Sequence, residues 1–296
     1  MLILAVYAAV SLSLSRGSAT LVTFGNLVQC VVPLLANAGL LLNAGTPHWR
    51  RNLFWMLIAM SCTLWMFGLF QWTYYEVYLH KPLPDLYPGD VLFFLRGIPL
   101  MASLALIPHH RGESRRLRFG YLDFALLLMW WMFFYTFSVL PWIYATPSLG
   151  QYNHNYNVVT NIQNMVAVVG FGSLALRTRG AWRTVYANLF GAVTLYMLAS
   201  LTLDVAADVK EYYTGSLYDI PLISSFLWFA VAGVIAYQLR DRLEAPTGDY
   251  YDSEPDSGGA GLIRQRRVVG KQIGKPENRR QWIVDLVGCP GCKLAQ

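Results

Sequence analysis

Runs of about twenty apolar residues, each closed by a turn or a charged loop, recur along this chain, and they constrain its fold more than any other feature. A helix needs about 20 predominantly apolar residues to cross the ~30 Å hydrocarbon core of a bilayer. In hydrocarbon its backbone polar groups must be satisfied within the segment, which leaves helices or closed barrels. Repeated runs of this length exclude a soluble core and predict an all-α, polytopic membrane bundle. Composition agrees: 55% of the 296 residues are hydrophobic, 15% aromatic and only 14% charged. Soluble domains carry roughly a quarter of charged residues.

Spans are expected at residues 1–14, 19–42, 53–78, 89–107, 121–144, 157–176, 184–206 and 220–239. The first is short. It also reads as the apolar part of a signal peptide, although it lacks a basic start and Ser15–Ser18 is a poor cleavage site. Eight spans follow if it crosses, seven if it does not. Asn26, Gln29 and Asn37 in the second run, and Asn161, Gln163 and Asn164 in the sixth, suit hydrogen bonds between helices. Pro82, Pro84 and Pro88 close the third run, and GQYNHNYN (150–157) reads as a polar loop.

Every second loop is basic: Arg50 and Arg51, Arg111 to Arg118, Arg177 to Arg183, then Arg240 and Arg242. Cytoplasmic loops carry that excess. Eight spans would put both termini in the cytoplasm of a cell with the protein in its inner (plasma) membrane. The net charge of +6 lies in these loops and in the tail. It therefore sets orientation, and no nucleic-acid partner is called for.

Residues 1–243 form the membrane domain, 244–261 a flexible acidic linker rich in Gly, Pro and Ser, and 262–296 a short basic tail without periodicity. Cys30 and Cys62 lie within apolar runs. Cys289 and Cys292 make a lone CxxC, weak evidence for a metal or redox site, and His109–His110 lacks further ligands nearby. There is no phosphate-binding glycine loop, no HExxH and no GxSxG elbow. The sequence thus offers no catalytic residue, cofactor or metal site. Paired inverted repeats with broken helices, the mark of many transporters, are not visible either.

Candidate ligand-binding residues gather around the stretch Trp72 to His110. Glu76, Asp90 and Arg96 fall within about twenty residues on two neighbouring spans, and charge inside a span persists mainly where it is paired or functional. Arg96 should lie roughly 9 Å deeper than Asp90 at 1.5 Å per residue. It would reach back to Glu76 or Asp90, or meet a partner inside the bundle. Asp204, Trp72, Tyr75 and Trp142 complete the set. Together they suggest an acidic, aromatic-lined outer mouth for a cationic or flat amphipathic ligand. The plainer alternative is an interfacial aromatic belt with structurally paired charges.

Several of these residues also carry a resemblance. Trp72-Thr-Tyr-Tyr-Glu76, Gly89-Asp90-Val-Leu-Phe-Phe94, Pro99, Ala105-Leu-Ile-Pro-His109, Leu122-Asp123, Trp130-Trp131, Pro141-Trp142 and Asn155-Tyr156-Asn157 resemble the multi-span sensor region of bacterial, acidobacteria-type signalling proteins. There the region precedes a diguanylate cyclase (GGDEF) or histidine kinase domain. The resemblance covers roughly residues 19–242 and implies signal input, with no catalytic residue of its own. Where such proteins continue into an output enzyme, this chain turns to linker and basic tail. A lost output, a separately encoded one, or a frame change near Thr247 would each explain that. The expected function is thus a sensor module in the lipid bilayer that answers to a small or lipid-like ligand. Its partner would be a cytoplasmic cyclase or kinase, and a homodimer remains open. The alternative is a small multi-pass transporter or permease.

Overall fold

The computed structural model describes residues 2–46, 48–81, 84, 87–108 and 121–244. These residues are helical with no strands. The basic loop 109–120 and the linker, tail and CxxC beyond Glu244 lie outside them.

The chain order is α1 (Leu2–Ser13), α2 (Ala19–Leu41), α3 (Trp49–Thr73) with a π-turn at Tyr74–Tyr78, α4 (Pro88–Leu95) and α5 (Gly97–Leu104). Then follow α6 (Tyr121–Ser138), α7 (Pro141–Tyr144), α8 (Leu149–Arg177), α9 (Ala181–Asp208), α10 (Asp219–Gln238) and α11 (Arg240–Glu244). Six segments are long and apolar enough to cross a membrane: α2, Trp49–Tyr78, Leu122–Tyr144, α8, α9 and α10. The chain is a multi-pass membrane protein on this evidence.

Three expectations change. First, α1 has 12 residues, about 18 Å of helix, which is short of a bilayer core. Second, the fourth run is interrupted at Arg96 into two helices of 8 residues each. Pro99 explains the break: it has no N–H for the carbonyl of Leu95, and its ring crowds that carbonyl. Third, residues 150–157 are the opening turns of α8 and not a loop. Ser148 caps them, accepting from the Gln151 N–H at 3.4 Å, and Gln151 donates to Asn155 one turn on at 2.8 Å.

Contacts at both ends of each helix pair fix direction. Gly25 meets Gly215 at one end of α2, and Gly39 meets Gly233 at the other, so α2 and α10 run parallel. A Cβ added at Gly39 would sit 2.7 Å from the Ala230 carbonyl oxygen. Close backbone approach through small residues is how helices associate where lipid is as apolar as their own side chains. Asn43 then ties the junction by donating to the Gly233 carbonyl at 2.8 Å. α2 and α3 are antiparallel, joined by Thr63–Asn37 at 3.3 Å and Thr73–Asn26 at 3.0 Å. α4–α5 runs parallel to α8, with Asp90 beside Tyr152 at one end and Leu104 against Gly170 at the other.

The main core packs Phe54, Trp55, Ile58, Tyr186, Leu189, Phe226 and their neighbours. α6 is the loosest span. Only 17% of its apolar window is buried, against 33–50% in the other five, so it turns most of its surface outward.

Candidate functional site

Two polar clusters are built into the apolar bundle. The first lies at the end where α2 and α10 begin. Asp219, fully buried, opens α10. Its Oδ2 accepts from the Tyr7 hydroxyl at 2.8 Å and from the Gly215 N–H at 2.9 Å, and its Oδ1 accepts from the Tyr212 hydroxyl at 3.1 Å. Gly215 has a φ of +95°, the left-handed region that glycine enters without penalty, and this turns its N–H back onto the carboxylate. Ser11 donates to the Gly215 carbonyl at 2.7 Å, which completes the docking of α1. Burial, and then the adjacent Asp219, push the Tyr212 phenol well above the usual phenol range. Tyr212 therefore remains a donor throughout the physiological pH range.

Glu76 belongs to the same cluster. Its π-turn places the carboxylate to accept from the Asn26 amide at 2.9 Å and from the Thr214 hydroxyl at 3.1 Å. The loop 209–218 thus clamps α1, α2, α3 and α10 through two carboxylates. Exchanging Glu76 for Gln keeps one acceptor and loses the other. We expect a loss of about 1 kcal/mol, read as a fall of about 2–4 °C in thermal midpoint in neutral-detergent micelles.

The second cluster centres on Arg96, 3% exposed at the break between α4 and α5. Its guanidinium donates from Nη2 to Asn164 Oδ1 at 3.0 Å. It also lies over the Tyr196 ring, 3.5 Å from the centroid, and 5.1 Å from that of Trp65. Such cation–π contacts strengthen when desolvated. Of the two partners anticipated for Arg96, the one inside the bundle is what the geometry gives, and it is an amide. Among the described residues neither Glu76 nor Asp90 pairs with it. Gln163, beside Asn164 on α8, packs against Gly97, where a Cβ would overlap its Oε1. The Nε2 of Gln163 and the Nδ2 of Asn164 are buried without a partner.

Asp90 stands apart, one and a half turns before Arg96. Its Oδ2 accepts from the Tyr152 hydroxyl at 3.0 Å, its carbonyl from Tyr156 at 3.1 Å, and Tyr135 approaches Tyr152 at 3.5 Å. Asp204 lies beside Asn161. Trp72 and Tyr75 pack edge-on against Tyr87, at 5.8 and 6.2 Å between ring centroids. Trp142 packs with Val139, Tyr135 and their neighbours.

These residues do not converge on one mouth. A groove of about 570 Å³ does open at this end, lined by Phe67, Phe70, Gln71, Tyr74, Tyr75, Pro88 and Leu92. Of the expected set only Tyr75 borders it. Glu76 and Asp90 are turned instead to internal donors. Among the described residues no group of three or more His, Cys, Asp or Glu could hold a metal ion.

No family model, curated protein or solved structure matches the chain. The site therefore stands on its own geometry. Asp219, Tyr7, Asn26, Thr214, Gln163 and Asn164 join it although they were outside the expected set. The signal for the three amides was present, since uncharged polar side chains in a span seek partners on other helices. For Asp219 it was weaker, because its partner Tyr7 is 212 positions away.

Proposed function

We propose that the chain is a membrane-embedded signal-input module, in which a change at the α4–α5 break is passed to the cytoplasmic end of α10 and onward to an output partner. One observation carries the reading. A buried cation sits where α4 meets α5 in mid-bundle, and among the described residues an amide and two aromatic faces hold it. Charge at that depth is maintained where it has a role. Pro99 leaves the helix one hydrogen bond short here although Arg96 keeps helical dihedrals, and two packings of similar free energy are the condition for a ligand to shift a population.

Helix direction supports the topology behind this reading. α2 and α10 run parallel. Six reversals between them are needed if α4–α5 crosses the bilayer, and an even number is what parallel helices require. Arg51, Arg177, Arg183 and Arg240 then share one end, which the positive-inside rule makes cytoplasmic. Arg16, over the Tyr213 ring at 5.5 Å, Lys81 and Lys210 lie at the opposite end.

A small transporter is the second reading, and the Arg96 break favours it, since interrupted helices form many transport sites. Proteoliposomes loaded with radiolabelled organic anions, or with a pH-sensitive dye, separate the two. An input module leaves both flux signals at the level of empty vesicles. Flux above that level that disappears in Arg96→Met would establish transport instead.

A further inference from the structure

We infer that Arg96, together with the carboxamides of Gln163 and Asn164, forms a binding site for the carboxylate group of a ligand. This rests on reading Arg96 as the responsive centre, and it gives the ligand a charge opposite to the one that the acidic residues of the sequence suggest.

The argument is an account of donors and acceptors. A guanidinium carries five N–H donors and no acceptor. Here one hydrogen bond is made, to Asn164 Oδ1, and the ring faces of Tyr196 and Trp65 cover part of the rest. Asn164 Nδ2 and Gln163 Nε2, on residues 5% and 2% exposed, are donors without partners. The two unpartnered buried groups are thus both donors, and among the described residues no carboxylate pairs with the guanidinium. A cation would meet repulsion, and a neutral apolar ligand would leave the donors unpaired. A carboxylate offers about four lone-pair sites and the compensating charge. The carboxylates of Glu76, Asp90 and Asp219 are already engaged with other donors.

The local backbone suits such a site. Gly97 gives Gln163 room, and Pro99 has already removed one helical hydrogen bond, so α5 can shift here with least loss. Pro88, Leu92 and Arg96 follow one another at four-residue spacing. Pro88 and Leu92 border the 570 Å³ groove, and Arg96 follows one turn on, buried and outside its lining. The carboxylate has two sources: a short water-soluble acid, or a fatty acid from the bilayer.

The test is the thermal midpoint of the purified full chain in phosphatidylcholine nanodiscs, with sodium acetate or sodium laurate added and sodium chloride matching the ionic strength. At saturation one of the two should raise the midpoint by about 2–4 °C. A response to acetate points to the soluble source, and a response to laurate alone to the bilayer. Asn164→Asp places a carboxylate beside the guanidinium. It should raise the midpoint unaided and abolish the response. Arg96→Met should abolish the response as well, without lowering the midpoint, because an uncompensated buried charge is replaced by an apolar side chain of similar length. Absence of any response to either acid in the wild type, or a full response in both variants, would overturn the site. Carboxylate binding that leaves the helix packing unchanged would instead remove the input-module reading and leave the site standing.

Discussion

Asp219→Ala should detach α1 and lower the stability of the bundle by about 3–5 kcal/mol. One carboxylate satisfies three donors from two segments: Tyr7 of α1, and Gly215 and the half-buried Tyr212 of the loop 209–218. Orphaning a buried donor costs about 1–3 kcal/mol, and alanine orphans all three at once. Asn should be far milder. Its oxygen can replace Oδ2 for Tyr7 and the Gly215 N–H, and the Tyr212 hydroxyl can turn to accept from its amide. A loss of about 1 kcal/mol is expected for Asn. Trypsin gives the readout, since Arg16 is exposed in the α1–α2 connection. Cleavage there should accelerate in Asp219→Ala and change little in Asp219→Asn. Equal rates in both would show that the three donors find other acceptors.

The second large effect is expected at the crossing of α2 and α10. A Cβ at Gly233 would overlap the carbonyl carbon and oxygen of Gly39, and these are backbone atoms that no rotamer change can move aside. Gly233→Val must therefore push the helices apart and break the Asn43 hydrogen bond to the Gly233 carbonyl. Overpacking costs typically 1–3 kcal/mol, and a clash with backbone belongs at the upper end, about 3 kcal/mol. Gly150→Ala is the control, because nothing lies within 4 Å of its Cβ position. A helical glycine replaced by alanine should be neutral or slightly stabilising. Chemical-denaturant or thermal unfolding in detergent compares the two directly. Loss of the folded fraction in Gly233→Val alone is the expected outcome.

Much of the fold was legible because apolar run length is a direct physical requirement of the bilayer. What the runs could not show was the departure from regularity. The break at Arg96 had its cause in plain sight in Pro99, but a proline inside an apolar run is common enough in membrane helices to pass unread. The opening of α8 is hard to read from sequence for a different reason. GQYNHNYN has no apolar period, yet Ser148 and the Gln151–Asn155 pair were local helix signals, and Tyr152 and Tyr156 share a face that meets Asp90. The site was less legible than the fold. Glu76, Asp90 and Arg96 drew attention as charges in apolar surroundings. Their neighbourhood in sequence suggested pairing, whereas each is answered from elsewhere: Glu76 by Asn26 and Thr214, Asp90 by Tyr152, Arg96 by Asn164. Sequence separations of 50 to 138 residues link these partners, and no local pattern encodes such distances.

The distance between the ends of α5 and α10 tests the central claim most directly. Spin labels at Ala105→Cys and Gln238→Cys, both exposed positions, would be measured by pulsed electron resonance in nanodiscs, in a background with the native cysteines replaced. An input module hinged at Arg96 predicts two distance populations in the otherwise wild-type protein, merging into one in Arg96→Met. A single distribution, identical with and without Arg96, would contradict it.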